Sequence, residues 1–193
     1  MLKIIYLHGF SSAPNSFKAG KLKKAFCDYE FYIADYPAHQ PVQAINYLTS
    51  YMLDNYHCNE SLIVIGSSLG GYYAQYLGSV IGIVKKVVLI NPALQPQLTL
   101  KPYLGMHKNM VSGELFNFLH CDFSDLAKFN VASLGALANT LALLDQGDDV
   151  IDFRHAESRY KSSGRVISYP GGSHWFDHLN EAIPEIKSFI TSV

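Results

Sequence analysis

The sequence predicts an α/β fold, a mainly parallel sheet of about six strands with helices on both faces. Three observations carry this. Short aliphatic and β-branched runs recur along the chain, and segments with helical apolar spacing separate them. The composition also suits a buried core: of 193 residues, 49% are apolar and only 16% charged. That length fits a single domain over residues 1–193.

The strand-like runs come in order as Leu2–Leu7, Phe31–Tyr36, Ser61–Ile65, Val84–Ile90, Thr140–Leu144 and Arg165–Tyr169. Such uninterrupted apolar runs fit strands covered on both faces. Phe17, Leu22 and Phe26 suggest a helix between the first two strands. Val42, Ile45, Leu48 and Met52 form a second stripe, with Pro41 suited to the first helical position. Tyr72–Leu77 is helix-like, and Ala182, Ile183, Ile186, Phe189 and Ile190 make a terminal amphipathic helix. Pro184 fits that helix if it falls in the first turn, where no intrahelical donor is lost. Alternation of this kind requires right-handed crossovers and gathers functional groups at the strands' carboxyl ends.

Gln95 to Ala138 breaks the alternation and is far longer than an ordinary connection. It is read as a small helical cap inserted at approximately 95–138. Its Tyr103, Leu104, Met106, Leu115, Phe116, Phe118, Leu119 and Phe123 either wall a substrate pocket or bind the cap to the body.

Composition excludes several classes. A formal net charge of −1 offers no footprint for nucleic acid or an anionic membrane. The basic cluster Lys18, Lys21, Lys23 and Lys24 reads as a solvated helix face. Cys27, Cys58 and Cys121 are odd in number and form no C-x-x-C pair, so neither a disulfide framework nor a zinc site is expected. Unpaired cysteines, the absence of a signal-like core and the lack of a membrane-length run predict a cytoplasmic protein.

Gly66-Ser67-Ser68-Leu69-Gly70 joins the third strand to the following helix. A G-x-S-x-G turn in that context lifts its middle serine above the sheet edge, so Ser68 is the candidate nucleophile and Ser67 a weaker one. A hydroxyl needs a base. His174, in Gly171-Gly172-Ser173-His174 after the last strand, is the candidate, with His178 as the alternative. The acid that orients it comes from the segment after the fifth strand. Asp148 is favoured, then Asp149 and Asp145, while Asp152 suits a helix cap ahead of His155 and Arg159. Two backbone donors should form an oxyanion hole: Leu69 N–H and, from the loop after the first strand, Phe10 N–H. His8 precedes the nucleophile and is read as holding that loop.

With these residues in place, the chain resembles the α/β-hydrolases, and more narrowly the small bacterial YqiA/YcfP-like esterases. The matching stretches are Tyr6–Ser12, Gly66–Tyr73, Asn91-Pro92-Ala93, Tyr103-Leu104-Gly105, Gly147–Val150 and Gly171–His174. The resemblance implies an abbreviated hydrolase sheet lacking the first two strands of the full fold, with a catalytic triad of Ser68, Asp148 and His174. It implies hydrolysis of a small-molecule carboxylic ester or acyl thioester, with no metal or organic cofactor. A small cap with an aromatic wall favours short to medium acyl chains. Two other functions stay open: an acyl-CoA or acyl-carrier thioesterase, and a non-catalytic small-ligand binder on a hydrolase scaffold. The sequence leaves monomer and homodimer undecided.

Overall fold

The computed structural model describes residues 2–57, 59–132, 139–162 and 164–192. Six strands form one sheet: β1 (Leu2–Leu7), β2 (Glu30–Ile33), β3 (Ser61–Ser67), β4 (Val84–Ile90), β7 (Asn139–Asp145) and β8 (Arg165–Tyr169). Their order is β2-β1-β3-β4-β7-β8, and every neighbouring pair runs parallel.

Strand periodicity sorts the core into two layers. Ile5, Leu7, Val64, Val87, Leu89, Ala142 and Leu144 face α2 (Pro41–Asn55), α3 (Leu69–Val80) and α6 (Phe153–Tyr160). The alternate residues Ile4, Tyr6, Ile63, Ile65, Val88, Ile90, Leu141 and Leu143 face α1 (Phe17–Ala25) and α7 (Leu179–Thr191). Successive side chains point to opposite faces, so an unbroken apolar run feeds both layers. Parallel pairing brings Leu7, Ser67, Ile90, Asp145 and Tyr169 to one edge of the sheet, where the chain leaves each strand.

Several sequence expectations shift. The second strand ends at Ile33 rather than Tyr36. Tyr36 instead turns inward, and its hydroxyl donates to His8 O at 2.6 Å. Phe17 is exposed, so the core stripe of α1 rests on Ala19 and Leu22, with Phe26 just beyond. Pro184 lies inside α7, beyond its first turn. It is exposed, as is Asn180, the residue whose carbonyl it deprives of a donor, so water can serve that group.

The insertion between β4 and β7 carries more than helix. Short helical turns, α4 (Pro96–Thr99) and α5 (His120–Asp125), with 3-10 turns at Lys101–Tyr103 and Leu126–Phe129, flank an antiparallel hairpin of β5 (Gly105–Lys108) and β6 (Leu115–Phe118). Asn109 Oδ1 accepts from the amides of Val111 and Ser112, and Gly113 adopts φ +77°, which closes the hairpin. The end of the expected cap, residues 133–138, lies outside the described residues, as does Cys58. Cys27 and Cys121 are exposed free thiols. Among the described residues no helix is long and apolar enough to cross a membrane.

Candidate active site

β3 delivers Ser68 into a backbone conformation that serine rarely adopts, φ 54° and ψ −121°. Such a residue costs on the order of 1–3 kcal/mol and persists only where its surroundings impose it. Here they do. A Cβ on Gly66 would lie 2.2 Å from Gly70 O, one on Gly70 would lie 2.3 Å from Leu7 O, and one on Gly71 would lie 2.8 Å from Pro92 Cβ. The three glycines let helix α3 press against the ends of β1 and β3 and the turn after β4. The Ser68 amide donates to Ile90 O, and Ser68 O accepts from the amides of Gly71 and Ala93. The turn is thereby pinned from both sides.

Ser68 Oγ lies 3.0 Å from His174 Nε2, and His174 Nδ1 lies 2.9 and 3.1 Å from the two carboxylate oxygens of Asp148. Of the four aspartates weighed, Asp148 is the one that reaches the ring. Its side chain is 1% exposed. Oδ1 also accepts from the amides of Val150 and Ile151 at 2.9 and 2.8 Å, which fixes the carboxylate plane. Ile151 is buried, whereas Val150 is exposed and serves through its amide. Asp149 Oδ1 accepts a long 3.4 Å bond from the His174 amide. Asp152 caps α6 through Arg154 N. The adjacent Arg154 guanidinium holds the Asp152 carboxyl down at about 2.

The loop after β1 crosses directly over Ser68, since a Cβ on Gly9 would lie 3.2 Å from Ser68 Cβ. Among the described residues, neither Phe10 N–H nor Leu69 N–H donates to a protein acceptor. The hairpin secures this loop, a role the sequence did not reveal. Asn109 Nδ2 donates to Ser12 O, Met110 N donates to Ser11 O, and Ser11 Oγ donates to Lys108 O. The Phe10 ring meets Phe116 and Phe118 edge-on, at 5.3 and 4.9 Å between centroids. Phe118 is buried, whereas Tyr103, Met106, Leu115 and Leu119 remain exposed, so the cap aromatics divide between anchoring and surface. A cavity of about 430 Å³ opens beside the loop, lined among others by His8, Phe10, Tyr36, His39 and Phe116.

His8 is buried, and Nδ1 donates to Gly9 O at 3.0 Å, in keeping with a loop-holding role. Burial pushes its pKa below the usual imidazole value. One expectation fails. Lys18 is not a solvated lysine: its ammonium donates to Ser67 Oγ at 2.7 Å, behind the nucleophile turn. Burial brings it down to about 8, while Asp145, Asp148 and Asp177 pull the other way. His178, the alternative base, precedes α7, and its ring pairs with Asp145 at 2.8 Å, which leaves His174 as the imidazole on Ser68. Asn91, with φ 40°, is a structural residue that the catalytic motifs do not mark. Its side chain ties Asp145 N to Ser173 O. An asparagine closing a strand ahead of a proline was the available signal. No group of three His, Cys, Asp or Glu among the described residues could hold a metal ion.

The profile of the family described as "Uncharacterised protein family (UPF0227)" matches residues 3–191. A UPF0227 protein of Vibrio cholerae serotype O1 (strain M66-2) is 30% identical over 193 residues, covering 96% of this chain and 98% of that protein. Another, from Shewanella sp. (strain ANA-3), is 26% identical with the same coverage. Among solved structures, Est1E from Butyrivibrio proteoclasticus, with ferulic acid bound, superposes with a TM-score of 0.76 at 15% identity. That match covers 98% of this chain and 87% of Est1E. Alpha/beta hydrolase domain-containing protein 10 from mouse gives a TM-score of 0.76 at 15% identity, over 97% and 89% of the two chains. At such identity the likeness shows fold, and the fold is that of the α/β-hydrolases. The family match is shown by sequence: the chain belongs to the UPF0227 family.

Proposed function

We propose that the protein is a serine hydrolase that cleaves carboxylic esters of short to medium acyl chains through an acyl-enzyme intermediate. One observation carries the reading: the unbroken hydrogen-bond chain from Ser68 Oγ through His174 to buried Asp148, starting at a strained strand-to-helix turn. A lone serine hydroxyl is a weak nucleophile. A neutral imidazole within hydrogen-bond reach takes its proton as the oxygen attacks the substrate carbonyl. Asp148 accepts from Nδ1–H, which leaves the Nε2 lone pair facing Ser68 and stabilises the imidazolium that forms.

The substrate carbonyl oxygen becomes negative in the tetrahedral intermediate. Among the described residues the Phe10 and Leu69 amides donate to no protein acceptor, which suits them to hold that charge. Each such donor is worth about 3–4 kcal/mol in the transition state. His174 then passes its proton to the leaving alcohol, and the C–O bond breaks. Water attacks the acyl-Ser68 carbonyl, giving its proton to His174, and the acid leaves as Ser68 recovers the proton. The Phe10 and Phe116 rings, which line the cavity beside the loop, suit an apolar or aromatic acyl group.

The test is Ser68→Ala against a series of p-nitrophenyl esters and matched thioesters of graded length. Turnover should fall at least about a thousandfold with the thermal midpoint unchanged. Activity within tenfold of wild type would remove Ser68 from the mechanism. Faster turnover of thiol than of oxygen esters would reassign the leaving group.

A further inference from the structure

We infer that Asp145 and His178 form a second acid–imidazole pair that braces the loop carrying His174, making both positioning residues for the hydrolysis proposed above. The inference rests on that reading for its kinetic consequence, and on geometry for the brace itself. Asp145 ends β7, and its carboxylate is fully buried. Oδ1 accepts from His178 Nδ1 at 2.8 Å. Oδ2 accepts from two amides of the His174 loop, Asp177 N at 2.8 Å and Ser173 N at 3.3 Å. His174 therefore sits on a short loop whose two ends converge on one carboxylate oxygen.

The approach is too close for anything but glycine at its start. A Cβ on Gly172 would lie 2.0 Å from Asp145 Oδ2, and Gly172 adopts φ +76°. The main chain of Asp145 reaches the acid turn as well, because its carbonyl accepts from Asp148 N at 3.2 Å. One residue thus sets both partners of Ser68: its carboxylate fixes the histidine loop and its carbonyl the acid turn. His178 supplies the remaining donor, and its ring stacks on Tyr169 at 5.0 Å and 10°. A buried carboxylate that lost this donor would turn toward another partner and release the loop amides. A loosened loop moves the His174 ring off Ser68, which lowers the chemical step without touching substrate binding.

His178→Leu and His178→Asn separate brace from bulk, since the asparagine amide can donate where Nδ1–H does. With a p-nitrophenyl ester, kcat of His178→Leu should fall about tenfold or more with KM within twofold, and His178→Asn should recover most of it. Low-field proton NMR gives an arm that needs no substrate. The His174 Nδ1–H resonance should broaden or vanish in His178→Leu and return in His178→Asn. Wild-type kcat and an unchanged resonance in His178→Leu would overturn the brace, as would equal losses in both variants. Should His178→Leu not fold, the wild-type spectrum decides. Two slowly exchanging imidazole N–H signals, from His174 and His178, are expected, and a His178 proton averaged with water overturns the inference. An inactive wild type, or an active Ser68→Ala, would count against the hydrolase reading and leave the NMR arm to judge the brace.

Discussion

Asp148→Asn tests the division of labour in the site most sharply, because the structure dictates which way the new amide must point. Asp148 is buried, and Oδ1 accepts from Val150 N and Ile151 N while Oδ2 faces His174 Nδ1. In the asparagine variant the oxygen must stay on the two amides. The reverse orientation would set an NH2 group against two N–H donors and leave both unsatisfied, at about 1–3 kcal/mol each. The side-chain NH2 therefore donates to His174 Nδ1 and forces the proton onto Nε2. Nε2–H then points at Ser68 Oγ as a donor and cannot accept its proton.

Loss of the correct tautomer in a triad costs about four orders of magnitude in kcat, or about 5.4 kcal/mol at 1.36 kcal/mol per tenfold. The fold should not feel the change, since shape and local hydrogen bonds persist. Steady-state kinetics on a p-nitrophenyl ester, with thermal unfolding in parallel, check both halves. Asp148→Asn retaining more than a tenth of wild-type kcat would refute the assigned role of Asp148.

Three further outcomes follow from neighbouring geometry. Ser67→Ala should keep kcat within tenfold on the same ester, because Ser67 Oγ accepts from Lys18 while His174 Nε2 reaches Ser68 Oγ; a loss comparable to that of Ser68→Ala would contradict this. Gly70→Ala drives a Cβ to 2.3 Å from Leu7 O and 2.6 Å from His8 O, and neither backbone can yield freely. Urea unfolding should show a loss of about 3 kcal/mol or more, and wild-type stability would contradict the close approach. Lys18 has a pKa of about 8 in the folded protein against 10.5 as its ordinary value. Below pH 8 both folded and unfolded states carry the proton, and burying that charge burdens the fold. Between pH 8 and 10.5 only the unfolded state holds it, so stability from this group rises with pH. Relative to Lys18→Met, wild type should gain on the order of 2 kcal/mol in urea unfolding between pH 7 and pH 10. A difference that stays constant would refute the burial cost.

The parts of this molecule legible in its sequence are those set by local pattern. Continuous apolar runs gave the six sheet strands within a few residues, because a strand covered on both faces needs no alternation. The Ser68 turn is legible because its glycines hold a fixed spacing about the serine between strand and helix, although the contacts that demand them reach as far as Leu7 and Pro92. Asp148 and His174 followed from their places after the last two strands. What sequence could not yield depends on contacts across the chain. The β5–β6 hairpin pairs four-residue strands, too short for a periodic signal, although Asn109 and Gly113 marked its turn. Lys18 looked like one of several helix lysines, and only the packing of α1 under β3 turns it toward Ser67. In the sequence Asp145 and His178 read only as a spare acid and a spare base. Their mutual pairing is a fact of tertiary structure.

Covalent capture reaches the central claim without knowledge of the natural substrate. A fluorophosphonate reacts with a serine only when a base activates the hydroxyl and an oxyanion site receives the developing charge. Intact-mass and peptide mapping of wild-type protein should find a single adduct, on the peptide holding Gly66–Gly70, and none in Ser68→Ala. Unmodified wild-type protein, or an adduct on any other residue, would contradict a nucleophile at Ser68.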